Sequence, residues 1–414
     1  MLYEFSVSNY GPFRNKATLS LQITSCKEHP ENVITPTGLK EKALSSCLIF
    51  GSNAAGKSYI LKGIKALQDL LYDINFKRTK LTDYEPFRLS KETLSQPTEF
   101  EICVGTEGCI YEYSVGFTKD SITHEHLSRI GRKKHPIFER NNGIITVYDC
   151  IDVTSMATQN TPYLTLVSKH NDKVCNQVLD AILEIEYLEG DRVGRNIPDS
   201  FDYIESNPLA KEMALDALNA ADFNISAIRE DKKPPYGPSG KNEDDFFSIH
   251  PDLLKLLNKT FAGNLYITHD YEVPPDLTEF PIDIESNGTK NMLGIIGPLA
   301  SALIEGHPLV IDEFGSCMHP VLTRWIIDLF SGRYNVNGAQ LIVSTHDLSL
   351  MDIQNLVRRD QIYFVNKDHR TGESELYSLS DFNGVRKDTK VMDAYLFGRF
   401  DAVPNMISPR RKIR

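Results

Sequence analysis

The sequence predicts an α/β fold: a mixed sheet carrying a phosphate-binding loop, antiparallel strands on its N-terminal side, and an inserted helical region. Three observations predict it. The apolar run Leu48-Ile49-Phe50 leads into Gly51-Ser52-Asn53-Ala54-Ala55-Gly56-Lys57-Ser58 and then into helical periodicity from about Tyr59. Residues 281–347 alternate apolar runs with helical patterns, the rhythm of parallel strands joined by helices. Between these parts, residues 170–230 carry helical spacing without that alternation.

The chain has 414 residues, enough for two or three domains with an ample core. Its 41% hydrophobic and 24% charged content is that of an ordinary globular protein. No apolar run approaches the ~20 residues of a membrane helix. Met1-Leu2-Tyr3-Glu4-Phe5 lacks the basic and apolar regions of a signal peptide. Seven cysteines with no C-x-x-C pair point to reduced thiols rather than a disulfide framework or a zinc site. The expectation is therefore a cytoplasmic protein with no membrane partner. A net charge of −11 argues against a whole-surface affinity for nucleic acid. The basic runs 129–135 and 410–414 read as a solvated loop and a terminus, with phosphate contact left open for either.

Taken in order, residues 2–9 alternate with the period of a strand, Asn9-Tyr10-Gly11-Pro12 marks a turn, and 17–23 supplies a second, antiparallel strand. The helix after Ser58 carries Ile60, Leu61, Ile64, Leu67, Leu70 and Leu71 on one face. Residues 98–104 and 111–117 read as a hairpin closed by Thr106-Glu107-Gly108, and 143–147 as one more strand. Helical spacing recurs at Val174, Val178 and Ile182, and again at Met213, Ala214 and Leu218. The polar, Pro- and Gly-rich stretch 231–245 reads as a mobile surface loop. Later come a strand over 281–284, a turn at 285–289, a helix over 290–304, and the strand 308–313. A helix over 322–330 and strands at 339–347, 361–365 and 375–379 follow. The expected division is 1–165 for the N-terminal part of the sheet domain, 166–260 for the helical insert, and 261–414 for the C-terminal part and tail.

The chemistry gathers where strands end. Gly51 and Gly56 let the loop curl its N–H groups toward phosphate oxygens, and Asn53, Ala54 and Ala55 lie within that curl. Lys57 reaches the outer phosphates and the Ser58 hydroxyl can ligate Mg²⁺. These residues predict a nucleoside triphosphate site. Asp312 ends an apolar strand and suits Mg²⁺, while the adjacent Glu313 is the candidate general base for an attacking water. His346 ends the next strand and is the candidate hydrogen-bonding partner of the γ-phosphate. Glu285-Ser286-Asn287-Gly288-Thr289 places a hydroxyl, a glycine and free N–H groups at a second helix start. One nucleotide needs one phosphate loop, so this second anion-binding start is explained if it serves a nucleotide on a neighbouring subunit.

These motifs together resemble the ABC-type ATPase heads of the RecF, RecN and structural-maintenance-of-chromosomes group. The resemblance implies an ATPase that hydrolyses ATP to ADP and phosphate with Mg²⁺. It also implies that Ser286 and Gly288 contact ATP held by another copy, with Asn53 at the seam. By the same resemblance, the turn carrying Phe13 and Arg14 flanks the nucleotide base. Gly315 stands where such heads often carry Asp.

Further stretches narrow the resemblance to stand-alone ATPases of bacterial phage-defence and abortive-infection loci, the RloA/AbiL type. They are Arg358-Arg359-Asp360-Gln361-Ile362-Tyr363-Phe364-Val365, Leu376-Tyr377-Ser378-Leu379-Ser380-Asp381-Phe382, and Tyr395-Leu396-Phe397-Gly398-Arg399-Phe400 with Val403-Pro404. The segment after His346 falls short of the ~100–150 residues of a typical domain and lacks the acidic cluster of a two-metal nuclease. The expectation is that the Toprim domain of the related OLD nucleases is missing, and that any destructive activity belongs to a separate effector, a nuclease or RloB-like protein. The alternatives are a RecF-like ATPase binding DNA ends and a nucleotide-gated scaffold that barely turns over.

Overall fold

The computed structural model describes residues 1–35, 38–72, 81, 83–190, 196–220, 224–230, 265–271, 273 and 278–403. In chain order the strands are β1 (Leu2–Ser8), β2 (Ala17–Ser20), β3 (Val33–Ile34), β4 (Ala43–Leu44) and β5 (Ser46–Gly51), followed by helix α1 (Lys57–Leu71). Next come β6 (Thr98–Thr106), β7 (Cys109–Phe117), β8 (Ile122–Ile130), β9 (Lys134–Asn141) and β10 (Ile144–Val147). Helices α2 (Tyr163–Ser168) and α3 (Lys173–Leu183), strand β11 (Glu186–Glu189), helices α4 (Ile197–Ser206) and α5 (Pro208–Ala220), and strands β12 (Ile225–Glu230), β13 (Leu265–His269) and β14 (Glu279–Pro281) follow. The remainder is α6 (Asn287–Glu305), β15 (Pro308–Phe314), α7 (Pro320–Leu329), β16 (Gln340–Thr345), β17 (Ile362–Lys367), β18 (Ser374–Ser378) and α8 (Val391–Leu396).

The central sheet has the order β11-β15-β16-β5-β17-β18. Its first five strands run parallel and β18 is antiparallel at the edge, so the sheet is mixed as expected. Every residue of β5 is buried, because both faces of this strand are covered. Cys47 and Ile49 face a core shared with α1 and the antiparallel sheet; Leu48 and Phe50 face a second core shared with α6 and α7.

The antiparallel sheet has the order β10-β9-β8-β7-β6-β1-β2. Its inward residues Phe5, Val7, Phe100 and Ile102 share one core with Ile60, Leu61, Ile64 and Leu67, the buried stripe of α1. The approach is close, since a Cβ at Gly63 would stand 2.8 Å from Val7 Cγ1. The phosphate-loop helix is thus held between the two sheets.

The helical stretch divides between the two cores. Residues of α2 and α3 pack with the antiparallel sheet, whereas α4 and α5 pack on α6. Ser200 of α4 enters the α6 ladder: its Oγ donates to the Leu293 carbonyl at 2.7 Å and accepts from the Gly297 N–H at 2.8 Å. That insertion adjoins Pro298, which has no N–H to give the helix.

Four expectations change. Residues 170–230 include two strands, β11 and β12, and β11 extends the central sheet. The basic run 129–135 is largely solvated as expected, but it is the tip of the β8–β9 hairpin, with 129–130 and 134–135 in its strands and Lys134 Nζ donating to Glu112 at 2.6 Å. Ile282–Ile284 is a 3-10 turn rather than a strand, because the chain must turn into the capped start of α6. The second strand, expected over 17–23, ends at Ser20. The stretch 231–245 and the tail 410–414 lie outside the described residues. Among those described, no helix is long and apolar enough to cross a membrane, and all seven cysteines are free thiols.

Candidate active site

The site forms at the carboxyl ends of β5, β15 and β16. β5 ends at Gly51 (φ +153), where a Cβ would stand 2.4 Å from the Val365 carbonyl oxygen. The loop continues through Ala54 in the left-handed region (φ +60) and Gly56 (φ +116), where a Cβ would meet Pro12 Cγ at 2.9 Å. Ala55 is buried, and its carbonyl accepts from Ser374 Oγ at 2.5 Å. Helix α1 then opens with its free N–H groups and positive dipole end toward the loop. Lys57 is buried and donates to the carbonyls of Gly51 and Ser52 at 3.0 and 3.1 Å. Burial pushes its pKa down, partly offset by the charges of Asp312 and Glu313.

A cleft of about 870 Å³ opens on this loop. Asn53, Ala54, Gly56, Lys57 and Ser58 line it together with Glu313 and His346. Gly11, Pro12, Tyr59 and residues 85–89 line the rest, joined by Lys367 and Gly372. Burial and the nearby Lys57 charge push the His346 pKa down against the opposing charge of Asp312, and the net shift favours the neutral imidazole.

The two carboxylates reach the site differently. Asp312 is buried, and its Oδ1 accepts from Ser344 Oγ at 2.5 Å. Glu313 is exposed in the cleft and adopts φ +58. The β15–β16 register slips between Ile311 and Phe314, placing a bulge at this pair. Ser58 and Asp312 offer a hydroxyl and a carboxylate, the hard oxygen donors that Mg²⁺ prefers. Among the described residues no cluster of three or more acidic, His or Cys side chains forms a self-sufficient metal site. A bound Mg²⁺ would therefore take its other ligands from nucleotide and water.

Six expected residues are not in the cleft lining: Gly51, Ala55 and Asp312 belong to the loop and the bulge beside it, whereas Arg14, Ser286 and Gly288 stand elsewhere. Arg14 pairs with Glu373 at 2.9 Å and Glu92 at 3.4 Å, while Gly11 and Pro12 of its turn line the cleft instead. Ser286 caps α6, its Oγ accepting from the Thr289 N–H at 3.0 Å. Gly288 packs on the turn after β15, where a Cβ would meet the Cys317 carbonyl oxygen at 3.2 Å. Asn291 ties the same helix to that turn, donating to the Ser316 carbonyl at 2.7 Å.

Sequence reasoning missed Ser344, Gly190 and the wall at 85–89. The first polar residue after Leu341-Ile342-Val343 was the available signal for Ser344; Gly190 and the wall carry no local one.

Residues 168–352 match the family model described as "AAA domain, putative AbiEii toxin, Type IV TA system". The matched stretch contains Ser286, Gly288, Asp312, Glu313 and His346, and begins after the phosphate loop. The chain is similar to the SMC head domain from Thermotoga maritima at 12% identity and a TM-score of 0.42, covering 91% of this chain and 98% of that one. It is also similar to the SmcHead bound to the C-winged helix domain of ScpA, at 11% identity and a TM-score of 0.48, covering 91% of this chain and 97% of that one. No curated protein matches it.

Proposed function

We propose that the chain is an ATPase switch whose nucleotide site is completed by a second copy, and which controls a separate effector in antiphage defence. The observation that carries the ATPase reading is the meeting of Lys57, Ser58, Glu313 and His346 in one cleft. In this reading the loop N–H groups bind the phosphates and Lys57 turns to them from the Gly51 and Ser52 carbonyls. Ser58 and Asp312 would hold a bound Mg²⁺, which would supply charge neutralisation on the phosphates. Glu313 takes a proton from the attacking water, and neutral His346 donates a hydrogen bond to a γ-phosphate oxygen. The α6 start lies outside the cleft lining, which supports its use by a neighbouring copy. The family description, with its toxin–antitoxin association, supports the defence role.

The test compares wild type, Lys57→Ala and Glu313→Gln for phosphate release and for mass in solution with and without ATP. Glu313→Gln is expected to accumulate an ATP-dependent assembly that Ser286→Arg prevents. Phosphate release no higher than in Lys57→Ala, with one mass under all conditions, would sink the reading.

A second reading, a DNA-binding ATPase, draws on the β8–β9 tip, where Arg129, Arg132 and Lys133 are exposed. It requires salt-sensitive duplex binding that charge reversal at Arg132 and Lys133 removes.

A further inference from the structure

Ser344 lies on β16 with no exposure to solvent. A buried hydroxyl needs partners, and this one has two across the strand boundary. It donates to Asp312 Oδ1 at 2.5 Å and accepts from the Glu313 N–H at 2.8 Å. One hydroxyl therefore touches the side chain of one carboxylate residue and the backbone of the next.

The local register explains why this matters. Ile311 pairs with Val343, and the next pair is Phe314 with Thr345, so β15 advances three residues while β16 advances two. In a regular strand Asp312 and Glu313 would point to opposite faces. The bulge, with Glu313 at φ +58, changes that alternation and accompanies the placement of Glu313 in the cleft. Ser344 is bonded to the bulge at its turning point.

We propose that Ser344 is the positioning residue of the carboxylate pair: it orients Asp312 toward a divalent cation and pins the bulge that turns Glu313 into the cleft. This inference rests on the ATPase reading. Removing the hydroxyl frees the Asp312 carboxylate to rotate and takes the acceptor from the Glu313 N–H, while the phosphate loop keeps all its own contacts.

The test uses the full chain with Ser344→Ala, Ser344→Thr and Ser344→Cys. Mn²⁺ binding in the presence of a non-hydrolysable ATP analogue is read by electron paramagnetic resonance, and analogue binding in EDTA is read separately. Ser344→Ala is expected to weaken Mn²⁺ binding about tenfold and to lower kcat by at least about tenfold, with analogue affinity in EDTA changed by less than about twofold. Ser344→Thr, which keeps a hydroxyl, restores Mn²⁺ affinity, and Ser344→Cys, a weak donor, falls between. Mn²⁺ affinity in Ser344→Ala within about twofold of wild type would overturn the proposal. Absence of hydrolysis in wild type would instead count against the ATPase reading, and the Mn²⁺ comparison would still test Ser344.

Discussion

Gly190 lies against Asp312: a Cβ at position 190 would stand 2.2 Å from the Asp312 carbonyl oxygen and 2.8 Å from that of Glu313. The preceding residue, Glu189, pairs with Asp312 in the parallel β11–β15 ladder. The bulge is therefore confined on one edge by Gly190 and on the other by Ser344.

Gly190→Ala is expected to displace the bulge. The overpacking costs about 1–3 kcal/mol of stability, and under the proposed ATPase function kcat for ATP should fall at least about tenfold because Glu313 moves. Nucleotide affinity, set mainly by the phosphate loop, changes little. Steady-state hydrolysis with an equilibrium binding titration checks both; an unchanged kcat would show that the bulge tolerates the methyl group.

A second expectation concerns Asn9, which is buried at φ +49. Its Nδ2 donates to the carbonyls of Thr93, Gln96 and Pro97, and its Oδ1 accepts from the Phe87 N–H. One side chain thus fastens the cleft wall at 85–89 to the end of β1. Asn9→Ala leaves several of these groups unsatisfied, at about 1–3 kcal/mol for each one that stays buried. A lower Tm with weaker nucleotide binding is expected. Asn9→Asp keeps the Phe87 acceptor but turns a buried carboxylate oxygen toward three carbonyl oxygens, so its Tm should fall at least as far as in Asn9→Ala. A Tm above that of Asn9→Ala would show that the Phe87 contact outweighs the three donor contacts.

The phosphate loop, its strand and its helix were legible because their chemistry is local: adjacent residues form the loop, and a continuous apolar run marks a strand covered on both faces. The bulge was not legible. Its hydrogen bond joins residues 31 apart in sequence, Glu313 and Ser344, and its other support is Gly190. The β8 and β9 strands were hidden by buried charge. Glu125 accepts from Tyr113 Oη and from the N–H groups of Tyr163 and Leu164. Arg140 donates to the Thr158 and Thr161 carbonyls. Charged residues satisfied by distant backbone look like surface residues in the sequence.

The last expectation concerns pH. Glu186 pairs with Leu309 at the edge of the central sheet. Burial, with a smaller contribution from the Glu305 charge, pushes its carboxyl up from an ordinary value near 4.5 to about 7. The unfolded chain therefore loses this proton before the folded chain does. Between about pH 4.5 and about 7 the folded state binds more protons, so stability falls as pH rises through that window. Below it both states are protonated and the residue contributes no slope. Glu186→Gln removes the ionisable group and should flatten the dependence of Tm on pH across the window, giving a higher Tm than wild type at about pH 8. Parallel Tm curves for the two proteins would show that Glu186 ionises in the folded chain as it does in the unfolded one.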